Sequence, residues 1–180
     1  MIITGGIAPN EEGGMVFRDE NGDAIFTASK LSTDAEADGH KLITDAVHTA
    51  DPDVKICMQI LHMGPLAMND QLVAPSAVRS RISKFTPNEL DAEGIEKQID
   101  DHVNCARLAQ KAGYDGVEII GSAGYLISTF LVEKTNMRTD EYGGSYENRM
   151  RFALEVVRRC RAAVGEDFII IFRIAGMDML

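Results

Sequence analysis

Short apolar segments alternate with longer amphipathic segments along this chain. The apolar segments have the length of β-strands, and they read "MIIT", "VKICMQILH", "YDGVEIIG" and "DFIIIFRIAG". The second segment is apolar at successive positions, which is typical of a parallel strand covered on both faces. The first segment also reads as a buried strand, and it ends at Gly5-Gly6. The pattern therefore predicts four β-strands, and it places the last of them in the core as well.

The amphipathic segments predict three helices. The first, "DAEADGHKLITDAVHTA", has apolar positions at helical spacing at Leu42, Ala46, Val47 and Ala50. The second has Asp91 as its predicted N-cap and Gly113 as its C-terminal stop, with an apolar stripe at Ile95, Ile99, Val103 and Ala106. The third is expected to begin near Ser145 and to stop at Gly165.

The predicted order of elements is strand, loop, helix, repeated, and this alternation indicates parallel strands with right-handed crossovers. Residues 10–23 are polar and contain glycines, so we expect a loop there. The loops that follow strands are longer than those that follow helices, which suits a (β/α) barrel whose active site lies on those loops. A doubly wound sheet is the alternative, because four strands fit either architecture.

Composition and charge exclude several classes of function. The chain has 180 residues, which fits one domain, and a net charge of −10, which argues against nucleic-acid and anionic-membrane partners. The three cysteines are Cys57, Cys105 and Cys160, too far apart for a metal motif, and we expect buried thiols in a reducing compartment. No apolar run approaches a membrane span, and the N-terminus lacks the features of a signal peptide. A cytoplasmic location is therefore expected.

The segment "NMRTDEYGGSYENRMRF" is unusually dense in charged residues, glycines and tyrosines. Gly143-Gly144 allows a tight turn with positive φ, and Ser145 can cap the helix that follows. Arg138, Asp140, Asn148 and Arg149 can satisfy loop carbonyls and one another through charge-assisted hydrogen bonds. We expect this motif to fix the long loop before the third helix, with direct ligand contact as the alternative.

The same motif resembles the signature of the old yellow enzyme family of FMN oxidoreductases. It matches the pattern N-x-R-x-D-x-(aromatic)-G-G-S-x-x-N-R at every position from Asn136 to Arg149. Other segments also resemble consecutive family segments, namely "IITGGIAP", "QILHMG", "LVAPSAV", "AGYDGVEIIGSAGYLISTFL" and "DFIIIFRI". Within the family, the chain is most similar to the bacterial 2,4-dienoyl-CoA reductases and their NADH:flavin oxidoreductase relatives.

This resemblance implies an eight-stranded TIM barrel that holds FMN at the carboxyl ends of its strands. Residues 1–180 would form a single partial FMN-binding barrel domain, containing about the second to fifth strands with their crossover helices. The first strand, strands six to eight, the FMN phosphate site, the iron–sulfur cysteines and the NADPH- and FAD-binding domains of the family would lie outside it. We therefore expect no iron–sulfur cluster in this chain, and weak or absent flavin affinity when it is isolated.

The resemblance also assigns cofactor-binding residues. Gln59 would face the flavin pyrimidine, where an amide can donate and accept hydrogen bonds. Arg173 would be a buried cation beside the position where reduced flavin gathers negative charge. Gly6 and Gly5, with Thr4 as a further candidate, would let the flavin ring approach the backbone. The alternatives are a polar side chain at the barrel mouth for Gln59 and an internal ion pair for Arg173.

Tyr125 resembles the tyrosine that protonates substrate carbon in the dienoyl-CoA reductases, as a general acid; a core tyrosine is the alternative. Many ene-reductases of the family carry two histidines near this strand end, whereas this chain has Ile120 and Ala123. The absence of that pair favours the dienoyl-CoA branch. Thr135 and Lys134 are further candidates for substrate binding.

The sequence predicts structural or surface roles for the other polar residues. His40, His48 and His102 fall on predicted helices and are expected to be solvated or half-buried. His62 ends a strand beside Gln59, where it can line the site or serve as a structural cap. The basic group formed by Arg79, Arg81 and Lys84 is predicted to be a solvated loop face, with the phosphates of a CoA-type substrate as the alternative partner.

These inferences predict an oxidoreductase that uses FMN and NAD(P)H to reduce an activated carbon–carbon double bond, with an enoyl- or dienoyl-CoA as its small-molecule substrate. An oxidative relative, such as an amine dehydrogenase, is the alternative within the enzyme class. A non-catalytic half barrel that binds a partner is the alternative outside it. Open barrel edges would favour a homo-oligomer.

Overall fold

A computed structural model describes residues 1–177 of the chain. Its strands are β1 (Ile2–Ile7), β2 (Val16–Arg18), β3 (Ala24–Thr27), β4 (Ile56–Ile60), β5 (Val73–Ala74), β6 (Asn88–Glu89), β7 (Gly116–Gly121) and β8 (Ile169–Ile174). Its helices are α1 (Asp34–Ala50), α2 (Ala92–Lys111), α3 (Leu126–Leu131) and α4 (Tyr146–Val164), with a 3₁₀ turn at Gly64–Leu66. The four predicted strands and three predicted helices correspond to β1, β4, β7, β8 and to α1, α2, α4.

The main sheet has four parallel strands in the order β1-β4-β7-β8. The strands therefore lie side by side in the same order in which they occur along the chain, and this order does not reverse. Right-handed crossovers between successive neighbours therefore place α1, α2 and α4 on the same face of the sheet. A doubly wound sheet needs a reversal of strand order to cover both faces. The topology consequently favours the barrel arrangement over the alternative left open by the sequence.

The core lies between the sheet and the helices. On this face Met58, Val117 and Ile119 are fully buried, and they pack in one cluster with Ile95 and Ile99 of α2. Burying a side chain of this size contributes about 1.5–3 kcal/mol relative to leaving it exposed. The rings of Phe130 in α3 and Phe152 in α4 stack with centroids 4.2 Å apart and complete this cluster.

The predicted helix boundaries are confirmed by the capping contacts. The Asp91 side chain accepts a hydrogen bond from the backbone N–H of Gly94 at 2.7 Å, and Gly113 follows α2 with a φ of 83°. Ser145 accepts from the N–H of Asn148 at 3.2 Å, and Gly165 caps the end of α4. These local signals therefore act as the sequence predicts.

Three expectations about burial and structure are wrong. Leu42 on α1 is 74% exposed, because this helix packs inward through other positions, Ala37 and Thr44. Ile2 of β1 is 47% exposed and Ile174 of β8 is 64% exposed, because each of these strands has one neighbour in the described sheet. The stretch expected to be loop, residues 10–23, contains β2 and the turn that leads into β3, and the two strands pair in an antiparallel hairpin.

Arg138 anchors the loop that contains the charged motif. Its side chain is 7% exposed and forms an ion pair with Asp140. Its guanidinium also donates to the carbonyl oxygens of Pro75 at 2.9 Å and Leu90 at 2.5 Å. The hydrogen bonds from Arg138 lower the pKa of the Asp140 carboxyl. Arg138 thereby ties this loop to the segments before and after β6.

Asn136 secures the other side of the same loop. Its side-chain amide donates to the carbonyl oxygens of Phe130 at 2.7 Å and Tyr142 at 2.8 Å. Gly143 packs directly on the Arg138 backbone, where a Cβ atom would lie 2.3 Å from the Arg138 carbonyl oxygen. Gly144 has a φ of 77°, which is the positive φ expected for the turn. The structural role predicted for the motif is confirmed by these contacts.

Candidate active site

Three polar side chains lie together on the sheet face that is turned away from the helices. Parallel pairing places Gln59 of β4 beside Glu118 of β7, and Ile120 of β7 beside Arg173 of β8. Residues in register point to the same face, and residues two apart share that face. Gln59, Glu118 and Arg173 therefore converge near the carboxyl ends of three adjacent strands, where barrel enzymes place their active sites.

Glu118 connects the other two side chains. The Gln59 Nε2 atom donates to Glu118 Oε1 at 2.7 Å, and the same oxygen lies 3.9 Å from Arg173 Nη1. Glu118 is 6% exposed, whereas the Arg173 side chain is 61% exposed. The expectation that Arg173 is a buried cation is therefore wrong in this structure, because β8 lies at the edge of the described sheet and leaves the guanidinium accessible.

Glu118 was not among the residues singled out from the sequence. A signal for it exists, because "GVEIIG" places one acid within a strand whose residues are all buried. A buried carboxylate requires hydrogen-bonding or cationic partners. Strand register was needed to identify those partners as Gln59 and Arg173.

The pairing of β1 with β4 contains a register shift between Ile3 and Gly6. At this irregularity Thr4 Oγ1 accepts from the backbone N–H of Gln59 at 3.0 Å and donates to the Gly5 carbonyl at 2.8 Å. A Cβ atom at Gly5 would have no heavy atom within 4 Å, but one at Gly6 would lie 2.8 Å from Leu61 Cδ1. Gly6 is thus required for packing on Leu61, and open space lies beside Gly5.

Tyr125 lies in a mostly apolar cleft of about 580 Å³. Strand β2 and the loop after β4 line this cleft, with Phe17, Met68, Ile82 and Phe85 among the apolar residues and Arg18 and Lys84 as the cations. The cleft is formed by loops and by β2 rather than by the strands that carry Gln59 and Arg173.

A strained turn presents Tyr125 at the start of α3. Ala123 has a φ of 62°, and it is the one non-glycine residue with positive φ in the described part of the chain. A residue with a Cβ atom in this conformation costs roughly 1–2 kcal/mol. Strain of this kind is found at functional sites more often than elsewhere.

The two candidates for substrate binding lie at the end of α3. The Thr135 hydroxyl donates to the carbonyl oxygens of Thr129 at 2.9 Å and Val132 at 3.1 Å. The hydroxyl proton of Thr135 is therefore already used in hydrogen bonds to the backbone. Lys134 is exposed in the same turn. A role for either residue in substrate binding stays a prediction.

The expectation for His102 is wrong, because this residue is 1% exposed. Its ring stacks with that of His62 at a centroid distance of 6.0 Å, and α2 is covered here by the neighbouring elements of the core. Burial lowers the pKa of both imidazoles, and the proximity of His102 lowers the pKa of His62 further. His62 Nδ1 accepts from the N–H of Gly64 at 3.0 Å, which is the structural cap named as one of its alternatives.

His40 and His48 are half-buried, as the sequence predicts. His40 Nδ1 lies 3.0 Å from the Tyr114 hydroxyl, and His48 Nε2 lies 2.9 Å from Asp115 Oδ2. These contacts give both histidines structural partners on the helix layer.

The three cysteines are buried and unpaired, as expected. Burial raises the pKa of the Cys160 thiol to about 12, which makes it unreactive at neutral pH. Within residues 1–177, no group of three or more potential His, Cys, Asp or Glu ligands is placed to hold a metal ion. No helix in the same part of the chain has the length and apolar character required to cross a membrane.

Several curated proteins are similar to this chain in sequence. The metal reductase of Desulforamulus reducens is 42% identical over 159 residues, which are 86% of this chain and 24% of that protein. The NADH oxidase of Thermoanaerobacter brockii is 42% identical over 156 residues, 84% of this chain and 24% of that protein. The N,N-dimethylglycine/sarcosine dehydrogenase of Chromohalobacter salexigens is 37% identical over 158 residues, 85% of this chain and 22% of that protein. The chain thus spans about a quarter of the length of these relatives.

Solved structures agree with the barrel arrangement. Morphinone reductase superposes with a TM-score of 0.81 at 30% identity, over 96% of this chain and 49% of that chain. A 2-naphthoyl-CoA reductase complex superposes with a TM-score of 0.81 at 28% identity, over 96% of this chain and 27% of that chain. The described sheet therefore corresponds to part of an old yellow enzyme barrel.

The sequence profile of the NADH:flavin oxidoreductase / NADH oxidase family matches residues 1–180, the whole length of the chain. This match agrees with the signature from Asn136 to Arg149, with the strand order and with the solved structures. The chain therefore belongs to the NADH:flavin oxidoreductase / NADH oxidase family.

Proposed function

We propose that this chain forms part of the catalytic barrel of an FMN-dependent oxidoreductase that uses NAD(P)H to reduce an activated carbon–carbon double bond, with a 2,4-dienoyl-CoA as substrate. The observation that carries the proposal is the group formed by Gln59, Glu118 and Arg173 at the carboxyl ends of adjacent strands. This group combines an oriented amide with an accessible cation. Assignment of these strands as the second to fifth of the barrel is part of the same proposal.

The polar groups present fit the pyrimidine edge of a flavin. That edge offers carbonyl oxygens and one N–H, so it needs both a donor and an acceptor, which a single amide supplies. Gln59 uses one N–H for Glu118, and within residues 1–177 its carbonyl oxygen and second N–H remain available. Arg173 supplies the positive charge that a reduced, anionic ring requires.

FMN, if held by Gln59 and Arg173, would supply hydride transfer between the nicotinamide and one carbon of the conjugated substrate. The other carbon must gain a proton, and we assign its delivery to the Tyr125 hydroxyl, which acts as a general acid. Gln59 would orient the cofactor and Arg173 would stabilise negative charge on it. The net change adds one hydride and one proton across the double bond and oxidises one NAD(P)H.

The cleft that contains Tyr125 supports an acyl-CoA as substrate class. Its apolar lining suits a hydrocarbon chain, and Arg18 and Lys84 suit the phosphates of an anionic carrier. Ile120 and Ala123 occupy the positions of the histidine pair found in many ene-reductases of the family. The structural similarity to a 2-naphthoyl-CoA reductase also favours a CoA thioester.

Amine oxidation is the second candidate function. It is favoured by one observation, the 37% identity to the N,N-dimethylglycine/sarcosine dehydrogenase. An assay with sarcosine as electron donor distinguishes it from double-bond reduction. Self-association through the exposed edges at β1 and β8, and a cytoplasmic location, stay predictions.

A chimaera tests the proposed function. In this protein, called the completed barrel below, the present chain replaces the matching segment of the Thermoanaerobacter brockii NADH oxidase. We expect the ratio of kcat/KM for a 2,4-dienoyl-CoA to that for 2-cyclohexenone to rise at least about tenfold over the parent oxidase, equal to about 1.4 kcal/mol of transition-state discrimination. The parent oxidase is the control. An unchanged ratio in a flavin-loaded chimaera would rule out the dienoyl-CoA assignment.

A further inference from the structure

Glu118 is a buried acid that touches two residues assigned to the cofactor. It is 6% exposed, and no part of the proposed mechanism requires it to transfer a proton. A carboxylate buried to this extent is unfavourable unless its partners compensate for the lost hydration. Its partners in the described part of the chain are the Gln59 amide and the Arg173 guanidinium.

The contact with Glu118 fixes the orientation of the Gln59 side chain. A carboxylate accepts hydrogen bonds and has none to donate, so only the NH₂ end of the amide can face it. The 2.7 Å contact therefore joins Nε2 to Glu118 Oε1, and a flipped amide would bring two acceptors together. The carbonyl oxygen of Gln59 must then point away from Glu118, and it is available to a donor on a ligand.

The contact with Arg173 is of a different kind. Its Nη1 atom lies 3.9 Å from Glu118 Oε1, which is beyond hydrogen-bonding distance, and the side chain is 61% exposed. The carboxylate thus attracts the guanidinium electrostatically without occupying its donors. Arg173 retains these donors for an anionic group, while the negative charge of Glu118 offsets part of its positive charge.

We propose that Glu118 is the positioning residue of the flavin site: it orients the Gln59 amide toward the flavin pyrimidine and holds Arg173 beside it. The inference rests on the proposed function for the identity of the ligand. The orientation of Gln59 itself is a property of the chain alone. Glu118 also lowers the net positive charge that reduced flavin would meet, so it makes the cofactor harder to reduce.

The first test measures the Gln59 side-chain amide by NMR in the 180-residue chain, without flavin. In the unsubstituted chain we expect one Nε2 proton to exchange slowly and to show a nuclear Overhauser effect to Glu118. Glu118→Ala should make this proton exchange fast and should remove the Overhauser effect. Glu118→Gln should retain the slow exchange and the Overhauser effect, because the new amide can accept the hydrogen bond through its own oxygen. Fast exchange of this proton in the unsubstituted chain, or slow exchange that persists in Glu118→Ala, would overturn the proposal.

The second test measures the midpoint potential of the flavin in the completed barrel. Glu118→Gln removes one negative charge with little change of shape, so we expect an upward shift of the potential. Glu166→Gln removes a charge from an exposed site before the amino end of β8 and should leave the potential unchanged. Equal potentials in Glu118→Gln and the unsubstituted protein would overturn the charge role. A completed barrel without flavin would instead count against the proposed function, and the NMR result would still decide the orientation.

Discussion

Replacing Tyr125 with Phe in the completed barrel is expected to lower turnover by about 10²–10⁴-fold, the range that general acid catalysis contributes. The substitution removes one oxygen atom and leaves the aromatic ring in its cleft. Only the step that requires a proton should slow. The rate at which NADH bleaches the flavin absorbance should therefore stay unchanged, while the rate at which the dienoyl-CoA restores it should fall.

Stopped-flow measurement of the two half-reactions checks this prediction. Tyr146→Phe is the matched control, since Tyr146 is 62% exposed on α4 and is remote from the cleft lining. Loss of both half-reactions in Tyr125→Phe would indicate a packing role for the tyrosine. Unchanged turnover would remove Tyr125 from the mechanism and leave it a core tyrosine.

Gly143→Ala is expected to give the largest loss of stability. A Cβ atom at this buried position would lie 2.3 Å from the Arg138 carbonyl oxygen and 2.5 Å from Arg138 Cβ, and backbone cannot move aside as a flexible side chain can. We expect the free energy of unfolding to fall by about 3 kcal/mol, the upper part of the usual range for overpacking. For a domain of this size the Tm should fall by about 6–12 °C.

Thermal unfolding of the 180-residue chain measures the effect of Gly143→Ala. Gly39→Ala is the control, because a Cβ atom there meets nothing within 4 Å and alanine favours the helix interior by about 1 kcal/mol. The two substitutions should therefore shift Tm in opposite directions. A Tm for Gly143→Ala equal to that of the unsubstituted chain would contradict the anchoring role of the motif loop.

Elements governed by local signals could be predicted from the sequence. Helix α2 begins and ends where Asp91 and Gly113 indicate, because capping depends on residues within one turn of the helix end. The strand β4 was identified by its apolar run, since burial on both faces leaves little room for polar residues. The anchoring role of Arg138 followed from the density of donors in one loop, whereas the contacts of Asn136 were found only in the structure.

Features that depend on neighbours distant in the chain were missed. The exposure of Ile2 and Ile174 depends on which strands lie beside β1 and β8, and nothing within either strand specifies this. His102 was assigned to a solvated face, because the packing of other elements over α2 cannot be derived from the periodicity of α2 alone. Glu118 acquired its partners only through the register of β4, β7 and β8.

The affinity of the completed barrel for FMN tests the central claim most directly. Fluorescence titration of the flavin-free protein should give a Kd that rises at least about tenfold in the double variant Gln59→Ala with Arg173→Met, because hydrogen bonds to charged groups contribute about 1.5–3 kcal/mol. Glu166→Gln should leave the Kd unchanged. A tenfold or larger rise confined to the double variant is the result predicted here. Equal affinity in all three proteins would mean that Gln59 and Arg173 do not form the flavin site.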